Sequence, residues 1–443
     1  MTSTLDDAPT APAAPAPNED PLEVFRHERL PGWALVHRTL DATAIDDVGA
    51  AVEAALRPVA GAIQPGMRVA VAAGSRGIDR IEEVVAATVR VIRAAGAEVF
   101  VVPAMGSHGG ATAQGQVEVL ASLGMTPERI GCEIRASMET IHLGEVEGGV
   151  PVYVDRLAFE GADAIVPVNR VKPHTDFTGP VESGLLKMIA IGLAKQKGAD
   201  TFHSLGFDAF AELIPRVAAF TLARAPIPFG LALVENGYAR LRHIEALPAA
   251  GMDARERVLR NEADAFLARL PLRELDVLVI DRIGKDISGL GMDSNVVGRY
   301  YSGPTGRGTS IQRIFVRDLT DETEGNAVGI GMADVVHARA VARMDKVKTY
   351  MNCVTAKTPE GARIALTADT DRQGLDLAIA CCLRVDPAHA RIARIRDTKR
   401  LEWFLASEPL LAELRRRGDC EIQGEASAIR FDAADAFIDP LPA

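Results

Sequence analysis

A lysine within an apolar stretch, with a histidine at each end, is the first feature of this 443-residue sequence that indicates chemistry. The stretch HTDFTGPVESGLLKMIAIGLAKQKGADTFH runs from His174 to His203 and contains Lys187 in the segment LLKMIAIG. Burial of a lysine is costly unless its amine is paired or used chemically. Desolvation also lowers the pKa of a lysine and makes the neutral amine available as a nucleophile. The structural alternative is an amphipathic helix whose lysine reaches solvent.

Two histidines lie in segments that follow predicted strands. His108 stands in GSHGG (106–110), where glycines on both sides let a ligand approach the backbone closely. His174 ends the tripeptide KPH, in which Pro173 restricts the backbone and Lys172 adds positive charge. Polar neighbours can orient its imidazole and select a tautomer. For both residues the alternative is an ordinary loop histidine or a satisfied buried one.

The turn GSRG (74–77) places Ser75 and Arg76 between glycines, before a predicted helix. Backbone N–H groups at such a turn favour an anion, and the arginine adds a bidentate donor. The turn matches neither the P-loop pattern nor the dinucleotide-binding fingerprint. A phosphate or carboxylate site and a simple tight turn both remain open for it.

His203 follows Lys187 by 16 residues. On one continuous helix, with about 100° per residue, the two side chains would point to nearly opposite faces. A shared site therefore requires a break in the helix, which Gly192 or Gly198 can supply. The remaining candidates, His243, His337 and His389, have no comparable context, and we expect them to be structural.

The elements that carry these residues alternate between short apolar runs and longer helical periods. Such alternation predicts an α/β fold of two domains, with mainly parallel sheets covered by helices. In such sheets, ligands bind beyond the carboxyl ends of the strands. The predicted strands and helices lie at 67–75, 97–110, 162–174, 229–236 and 276–284, and at 78–96, 112–123 and 254–271, respectively.

We place the domain boundary just before the strand DVLVIDRIG. This predicts a disordered tail over residues 1–20, an N-terminal cofactor-binding and catalytic domain over 21–272, and a C-terminal α/β domain over 273–443. A long last helix is predicted around TKRLEWFLASEPLLAELRRR, either within the second domain or packed back on the first.

Composition narrows the classes of partner and compartment. The net charge is -11 and no basic block is present, which disfavours nucleic acid and anionic membrane surfaces. No apolar run is long enough to span a bilayer, and the N-terminus lacks the pattern of a signal peptide. Five cysteines without a C-x-x-C pair favour a reducing cytoplasm over a disulfide framework.

These residues alone leave three chemistries open. They are a zinc hydrolase, although no H-E-x-x-H motif or close ligand pair is present, a Schiff-base lyase that uses Lys187, and a protein that binds a phosphate or other anionic ligand without catalysis.

From about residue 60 onward the sequence resembles the nickel-dependent lactate racemase family. The resemblance consists of order and spacing: a G-x-H loop at His108, a strand-end histidine at His174, an S-G-x-x-K turn that ends at Lys187, and a histidine 16 residues later at His203. It implies an isomerase whose active site lies in the cleft between the two domains, with a nickel pincer nucleotide as cofactor, made by separate cofactor-synthesis enzymes. The activity it implies is racemisation or epimerisation of a 2-hydroxy acid by proton-coupled hydride transfer.

The resemblance also implies roles for single residues. Lys187 matches the lysine that is covalently linked to the cofactor, and His203 matches the nickel ligand. His108 and His174 match the paired acid/base histidines. Arg76 matches an arginine that binds cofactor and substrate, with Ser75 beside it at the cofactor.

The second domain departs from the family pattern. In GLGMDSNVVGRYYSG (289–303), Asp293 and Asn295 fit the family's substrate-binding turn, but Val297 and Gly298 stand where Tyr-Gln is expected. Arg299 and Lys285 are the candidates to bind the substrate carboxylate. The turn from His174 to Lys187 is also about three residues longer. We therefore expect a small-molecule 2-hydroxy acid other than lactate; an oligomer is compatible with the sequence.

Overall fold

The computed structural model describes residues 20–75, 77–301 and 303–442. Of the predicted tail, only Asp20 lies among the described residues. The strands, in chain order, are β1 (Gly32–Arg38), β2 (Arg68–Ala73), β3 (Glu98–Pro103), β4 (Thr140–Val146), β5 (Val150–Asp155), β6 (Ala164–Arg170), β7 (Phe229–Glu235), β8 (Leu241–Pro248), β9 (Glu274–Ile280), β10 (Arg299–Tyr300), β11 (Gly303–Pro304), β12 (Ser310–Val316), β13 (Val335–His337), β14 (Leu366–Ala368), β15 (Ile392–Ile395), β16 (Trp403–Ser407) and β17 (Cys420–Ala428).

The α-helices are α1 (Val48–Leu56), α2 (Ile81–Ala94), α3 (Ala113–Ser122), α4 (Pro127–Ile130), α5 (Arg156–Gly161), α6 (Leu185–Lys187), α7 (Lys195–Ser204), α8 (Phe210–Leu222), α9 (Met252–Phe266), α10 (Ser294–Val297), α11 (Ala338–Ala342), α12 (Lys346–Ala356), α13 (Asp371–Ala380) and α14 (Glu408–Arg415). A π-helical turn, Met188–Gly192, follows α6 directly.

The first sheet has the strand order β3-β2-β6-β7-β8. Its first four strands are parallel, and β8 pairs antiparallel with β7. In β2, Val69 and Val71 face one apolar core while Ala70 and Ala72 face the other. Burial on both faces explains the continuous apolar run RVAVAA, which is typical of a parallel strand covered by helices on each side.

The second sheet has eight strands in the order β14-β13-β12-β9-β15-β16-β1-β17. The strands from β14 to β15 are parallel, whereas β16, β1 and β17 pair antiparallel. Apolar cores lie on both of its faces as well. The predicted fold class, α/β with mainly parallel sheets covered by helices, is therefore confirmed.

The position of β1 corrects the predicted division of the chain. Residues 32–38 lie between β16 and β17 in the second sheet, not in an N-terminal domain that spans residues 21–272. Trp33 and Val36 are buried there. An apolar strand does not specify a distant partner in the sequence, so this long-range pairing was not predictable from the pattern alone.

The predicted long helix around 398–417 is also wrong in part. Trp403–Ser407 form strand β16, residues 398–402 are neither helix nor strand, and only Glu408–Arg415 is helical. The residues of WFLAS are buried or nearly so within the sheet, whereas Pro409 occupies the first turn of α14. This helix packs on β1, β16 and β17, and so belongs to the second sheet. No helix of the described residues is both long and apolar enough to cross a membrane.

Candidate active site

Three neighbouring strands of the first sheet lead into the predicted site segments at their carboxyl ends. GSRG follows β2, GSHGG follows β3, and KPH follows β6, which pairs with β2 on its other side. Their proximity is direct: the Ser75 hydroxyl and Nδ1 of His108 are hydrogen-bonded at 2.5 Å. Arg76 lies outside the described residues, and its predicted role stays a prediction.

Gln116 on α3 supports the loop that carries His108 through hydrogen bonds to its backbone. Nε2 of Gln116 donates to the carbonyl oxygens of Gly106 at 2.9 Å and His108 at 3.3 Å. Lys195 reaches the same glutamine through its Nζ at 3.5 Å and pairs with Asp155 at 2.6 Å. The side chains of Lys195 and Asp155 are fully buried. A buried ion pair therefore supports the backbone that presents His108.

The His174 imidazole is fixed by its own loop. Its backbone N–H donates to Glu182 at 2.6 Å, and Nδ1 accepts from the backbone N–H of Asp176 at 3.0 Å. The ring also packs against Phe177, with 4.5 Å between the ring centroids. Nδ1 also lies 3.5 Å from the carboxylate of Asp176, so Asp176 presents both an N–H donor and an acceptor to this nitrogen.

Nε2 of His174 is hydrogen-bonded to the Lys187 amine. This contact fixes the Lys187 amine beside an imidazole that can exchange a proton with it. Phe177 flanks the same amine, with 5.8 Å from Nζ to the ring centroid.

His203 lies on α7, separated from Lys187 by the break that the spacing required. The π-helical turn ends at Gly192, and Lys195 has a left-handed backbone with φ 52° at the start of α7. Burial, with a contribution from the positive charge of Lys187, lowers the pKa of His203 to about 4. Its Nδ1 is buried and has no hydrogen-bond partner among the described residues. His203 is consequently a neutral imidazole with a nitrogen left to bind a further group.

The second sheet, together with the helices and loops that pack on it, is called the second lobe below, and the first sheet with its helices is the first lobe. The second lobe contributes residues that bind the His174 loop. Asp293 accepts from Nζ of Lys172 at 3.0 Å, and Nδ2 of Asn295 donates to the His174 carbonyl at 3.1 Å. Burial alone would raise the pKa of Asp293, but Lys172 and the N–H of Asn295 hold it below its usual range. Both residues thus lie at the predicted site, and contact with a substrate stays a prediction for them.

The two cations predicted to bind a carboxylate have partners within the second lobe. The Arg299 guanidinium bonds Asp334 at 2.8 Å and the carbonyl of Ile311 at 2.6 Å. Lys285 donates to the carbonyl of Gly289 and to Asn352, each at 2.9 Å. The structure does not bring either cation into hydrogen-bond contact with His174 or Lys187, and their substrate contacts stay predictions.

Two residues that sequence reasoning missed tie the lobes together. The Glu182 carboxylate is fully buried. It accepts hydrogen bonds from both terminal nitrogens of Arg307, at 2.6 and 3.0 Å. Glu182 also accepts the His174 N–H, so this pair joins the histidine loop to the second lobe. No periodic pattern could have identified Glu182, because it lies in a turn-rich segment, GPVESG.

Tyr301 was missed as well. Burial, and then the negative charge of Asp176, raises the pKa of its phenol, and its hydroxyl has no hydrogen-bond partner among the described residues. The adjacent Tyr300 bonds Thr178 at 2.9 Å, which places this tyrosine pair beside the His174 loop. The two tyrosines follow Arg299 directly. Their position after a glycine-rich turn was the only sign in the sequence that they could lie near the site.

Within the described residues, no group of three or more His, Cys, Asp or Glu side chains could hold a metal ion. His203 is half-buried, its Nδ1 has no partner among the described residues, and the charge of Lys187 acts on it; this set instead fits a metal that is brought by an organic cofactor.

A cavity of about 670 Å³ lies elsewhere, beside α1 and α2, and its lining combines acidic and basic side chains, namely Asp46, Asp47, Glu82, Glu83, Arg90 and Arg129.

Comparison with protein families gives a match over part of the chain. Residues 34–212 match the family model of the lactate racemase N-terminal domain. No curated protein sequence matches the chain significantly.

Two solved structures resemble this one. A protein from Thermotoga maritima, solved by a structural genomics consortium, is 18% identical with a TM-score of 0.47, over 61% of this chain and 70% of that chain. The lactate racemase apoprotein from Thermoanaerobacterium thermosaccharolyticum is 13% identical with a TM-score of 0.49, over 80% of this chain and 92% of that chain.

Proposed function

We propose that this chain, a homologue of the lactate racemase family through residues 34–212, racemises or epimerises a 2-hydroxy acid with a nickel pincer nucleotide. One observation carries the proposal. The Lys187 amine is bonded to His174 and lies close enough to His203 for its charge to lower the pKa of that imidazole, and Nδ1 of His203 has no partner among the described residues. A simple anion-binding protein has no need of a half-buried lysine, an imidazole partner for it and this second imidazole together.

Lys187 would hold the cofactor covalently, and His203 would bind its nickel. When bound, such a cofactor would supply a hydride acceptor for the substrate carbon. With the Lys187 amine engaged in the link to the cofactor, Nε2 of His174 would be available to a substrate hydroxyl.

The two histidines would move the hydroxyl proton. His174 is fixed through Nδ1 by the Asp176 N–H, and His108 through Nδ1 by Ser75. In both rings, Nε2 is therefore the nitrogen that would exchange a proton. One histidine acts as base for one enantiomer and as acid for the other, because the planar ketone formed between the two steps can accept hydride on either face.

The experiment is a turnover assay on a panel of chiral 2-hydroxy acids, with protein co-produced with the enzymes that make the cofactor. His108→Gln and His174→Gln should each lower kcat by about 10²- to 10⁴-fold while nickel is retained. His243→Gln is the matched control, because His243 pairs with Glu245 on β8 and should leave kcat unchanged. A fully active His108→Gln or His174→Gln variant would refute the acid/base assignment.

A further inference from the structure

We infer that Glu256 is a positioning residue for Lys187 and that Gly184 is a glycine because it must admit the Glu256 carboxylate. The inference rests on the proposed function, in which Lys187 must present its amine to a cofactor. Glu256 touches neither substrate nor cofactor; it acts through the backbone of the turn that carries the lysine.

The contact is between α9 and the beginning of the Lys187 turn. Oε2 of Glu256 accepts from the backbone N–H of Leu185 at 2.7 Å and from that of Leu186 at 3.2 Å. These are two of the N–H groups that no preceding turn of helix can satisfy. Lys187 is the next residue, so the carboxylate fixes the direction in which its side chain leaves the backbone.

Gly184 gives an independent sign of how tightly this carboxylate is fitted. A Cβ at residue 184 would lie 2.4 Å from Oε1 and 2.5 Å from Cδ of Glu256. Its φ of 173° is extended backbone that any residue adopts, so the backbone does not require glycine here. The glycine of the S-G-x-x-K segment is thus explained by the space that Glu256 occupies.

The carboxylate is kept in the interior without an ionic partner. Glu256 is 1% exposed, and none of its hydrogen bonds within the described residues comes from a cationic side chain. Burial, only partly offset by the two N–H groups and reinforced by Asp253, raises its pKa to about 7. Burial of an acid costs free energy when no cation pairs with it. This acid nevertheless lies at the turn that carries Lys187.

The same helix also supports the other end of the segment. Arg260, one turn after Glu256, donates to the carbonyl of Gly179 at 3.0 Å and lies 3.6 Å from Glu182, which accepts the N–H of His174. Helix α9 thereby braces both His174 and Lys187, the two side chains whose nitrogens are hydrogen-bonded to each other.

The test uses the full chain produced without cofactor and a limiting amount of acetic anhydride as probe. Peptide mass spectrometry would measure acetylation of Lys187 at pH 7, relative to the exposed Lys346 in the same digest. The fully buried Lys195 reports general loosening of the fold. Because no cofactor takes part, this result can fail while the proposed function stands, and the reverse also holds.

Glu256→Gln replaces one of the two carboxylate oxygens that can accept a backbone N–H. Gly184→Ala keeps Glu256 but adds a methyl group in the space that its carboxylate occupies. Both variants should lower relative acetylation of Lys187 by about threefold or more, because the amine leaves the His174 contact and so loses the imidazole that can take up its proton. Glu262→Gln, a change on the same helix at a residue paired with Arg255, should have no effect. Either of the two test variants suffices if the other does not fold.

Relative acetylation of Lys187 that stays at the wild-type level in a folded variant would overturn the inference. So would a rise at Lys187, with or without a parallel rise at Lys195, because the contact would then only cover or stabilise the turn.

Discussion

Single residues in this site owe their chemistry to groups that the sequence does not place beside them. The sequence pointed to Lys187 by its apolar context and to His174 and His203 by their place in the chain, but not to the contacts among them. The hydrogen bond between Lys187 and His174 and the burial of the His203 ring come from the packing of separate turns and helices, which no local pattern encodes.

Glu256 was missed although the sequence carried a signal for it. On α9 the buried positions Met252, Leu259 and Ala263 follow a helical period, and Glu256 falls within that stripe. An acid at a core position predicts a buried carboxylate with a specific partner. Only the three-dimensional structure identifies that partner as the Lys187 turn.

The raised pKa of Glu256 predicts how stability depends on pH. An unfolded glutamate loses its proton near pH 4.5, whereas the folded one keeps it until about 7. Stability contributed by this group is therefore present below pH 4.5 and is lost as the pH rises through 7. Relative to Glu256→Gln, the wild-type protein should lose about 3 kcal/mol of unfolding free energy between pH 4.5 and 8.

Urea denaturation of the cofactor-free protein at a series of pH values measures this difference, with Glu262→Gln as the control. A gap between wild type and Glu256→Gln that stays constant across the range would show that Glu256 does not titrate with a raised pKa.

At the scale of elements, the strands and helices of the first sheet followed from the sequence, and their contacts with the second lobe did not. Apolar runs predicted β2, β3, β6 and β7, and the loops after the first three converge as parallel strands require. By contrast, α10 and the following loop contact the His174 segment through hydrogen bonds between residues more than 100 positions apart in the sequence.

The Arg307–Glu182 pair should be the most costly of these to break. Arg307→Met leaves a fully buried carboxylate with only the more distant Arg260, 3.6 Å away, and breaking a buried pair typically costs up to about 3–5 kcal/mol. The additional change Glu182→Gln should recover part of that loss. Equilibrium unfolding in urea of the two single variants and the double variant gives the coupling energy.

Arg257→Met is the control for this cycle, since Arg257 pairs with Asp253 at an exposed position on α9 and its loss should change stability by no more than about 0.5 kcal/mol. An Arg307→Met variant as stable as Arg257→Met would mean that the buried pair does not hold the lobes together.

The whole molecule is organised differently from the linear division that the sequence suggested. The first described strand completes the second sheet, so the chain begins in one lobe, builds the other, and then returns. Sequence patterns report the type of each element and the order of elements along the chain. They do not report which edge a lone strand will join, because that choice depends on the final shapes of both sheets.

This topology predicts that β1 is indispensable to the second lobe. A chain that starts at residue 41 should lose more than about 5 kcal/mol of stability, because Trp33 and Val36 leave the cores and β16 and β17 both lose a neighbour. A chain that starts at residue 20 keeps every strand of both sheets. Thermal unfolding by circular dichroism compares the two, and equal midpoints would contradict the assigned place of β1.

The central claim is that Lys187 and His203 together hold a nickel-bearing organic cofactor. The most direct measurement is the nickel content and intact mass of protein co-produced with the cofactor-synthesis enzymes, followed by peptide mapping. We predict about one nickel per chain and an added mass on the peptide that contains Lys187, both absent from Lys187→Arg. Wild-type protein without nickel and with an unmodified Lys187, from a pathway that loads a known lactate racemase, would contradict the account and favour an anion-binding protein.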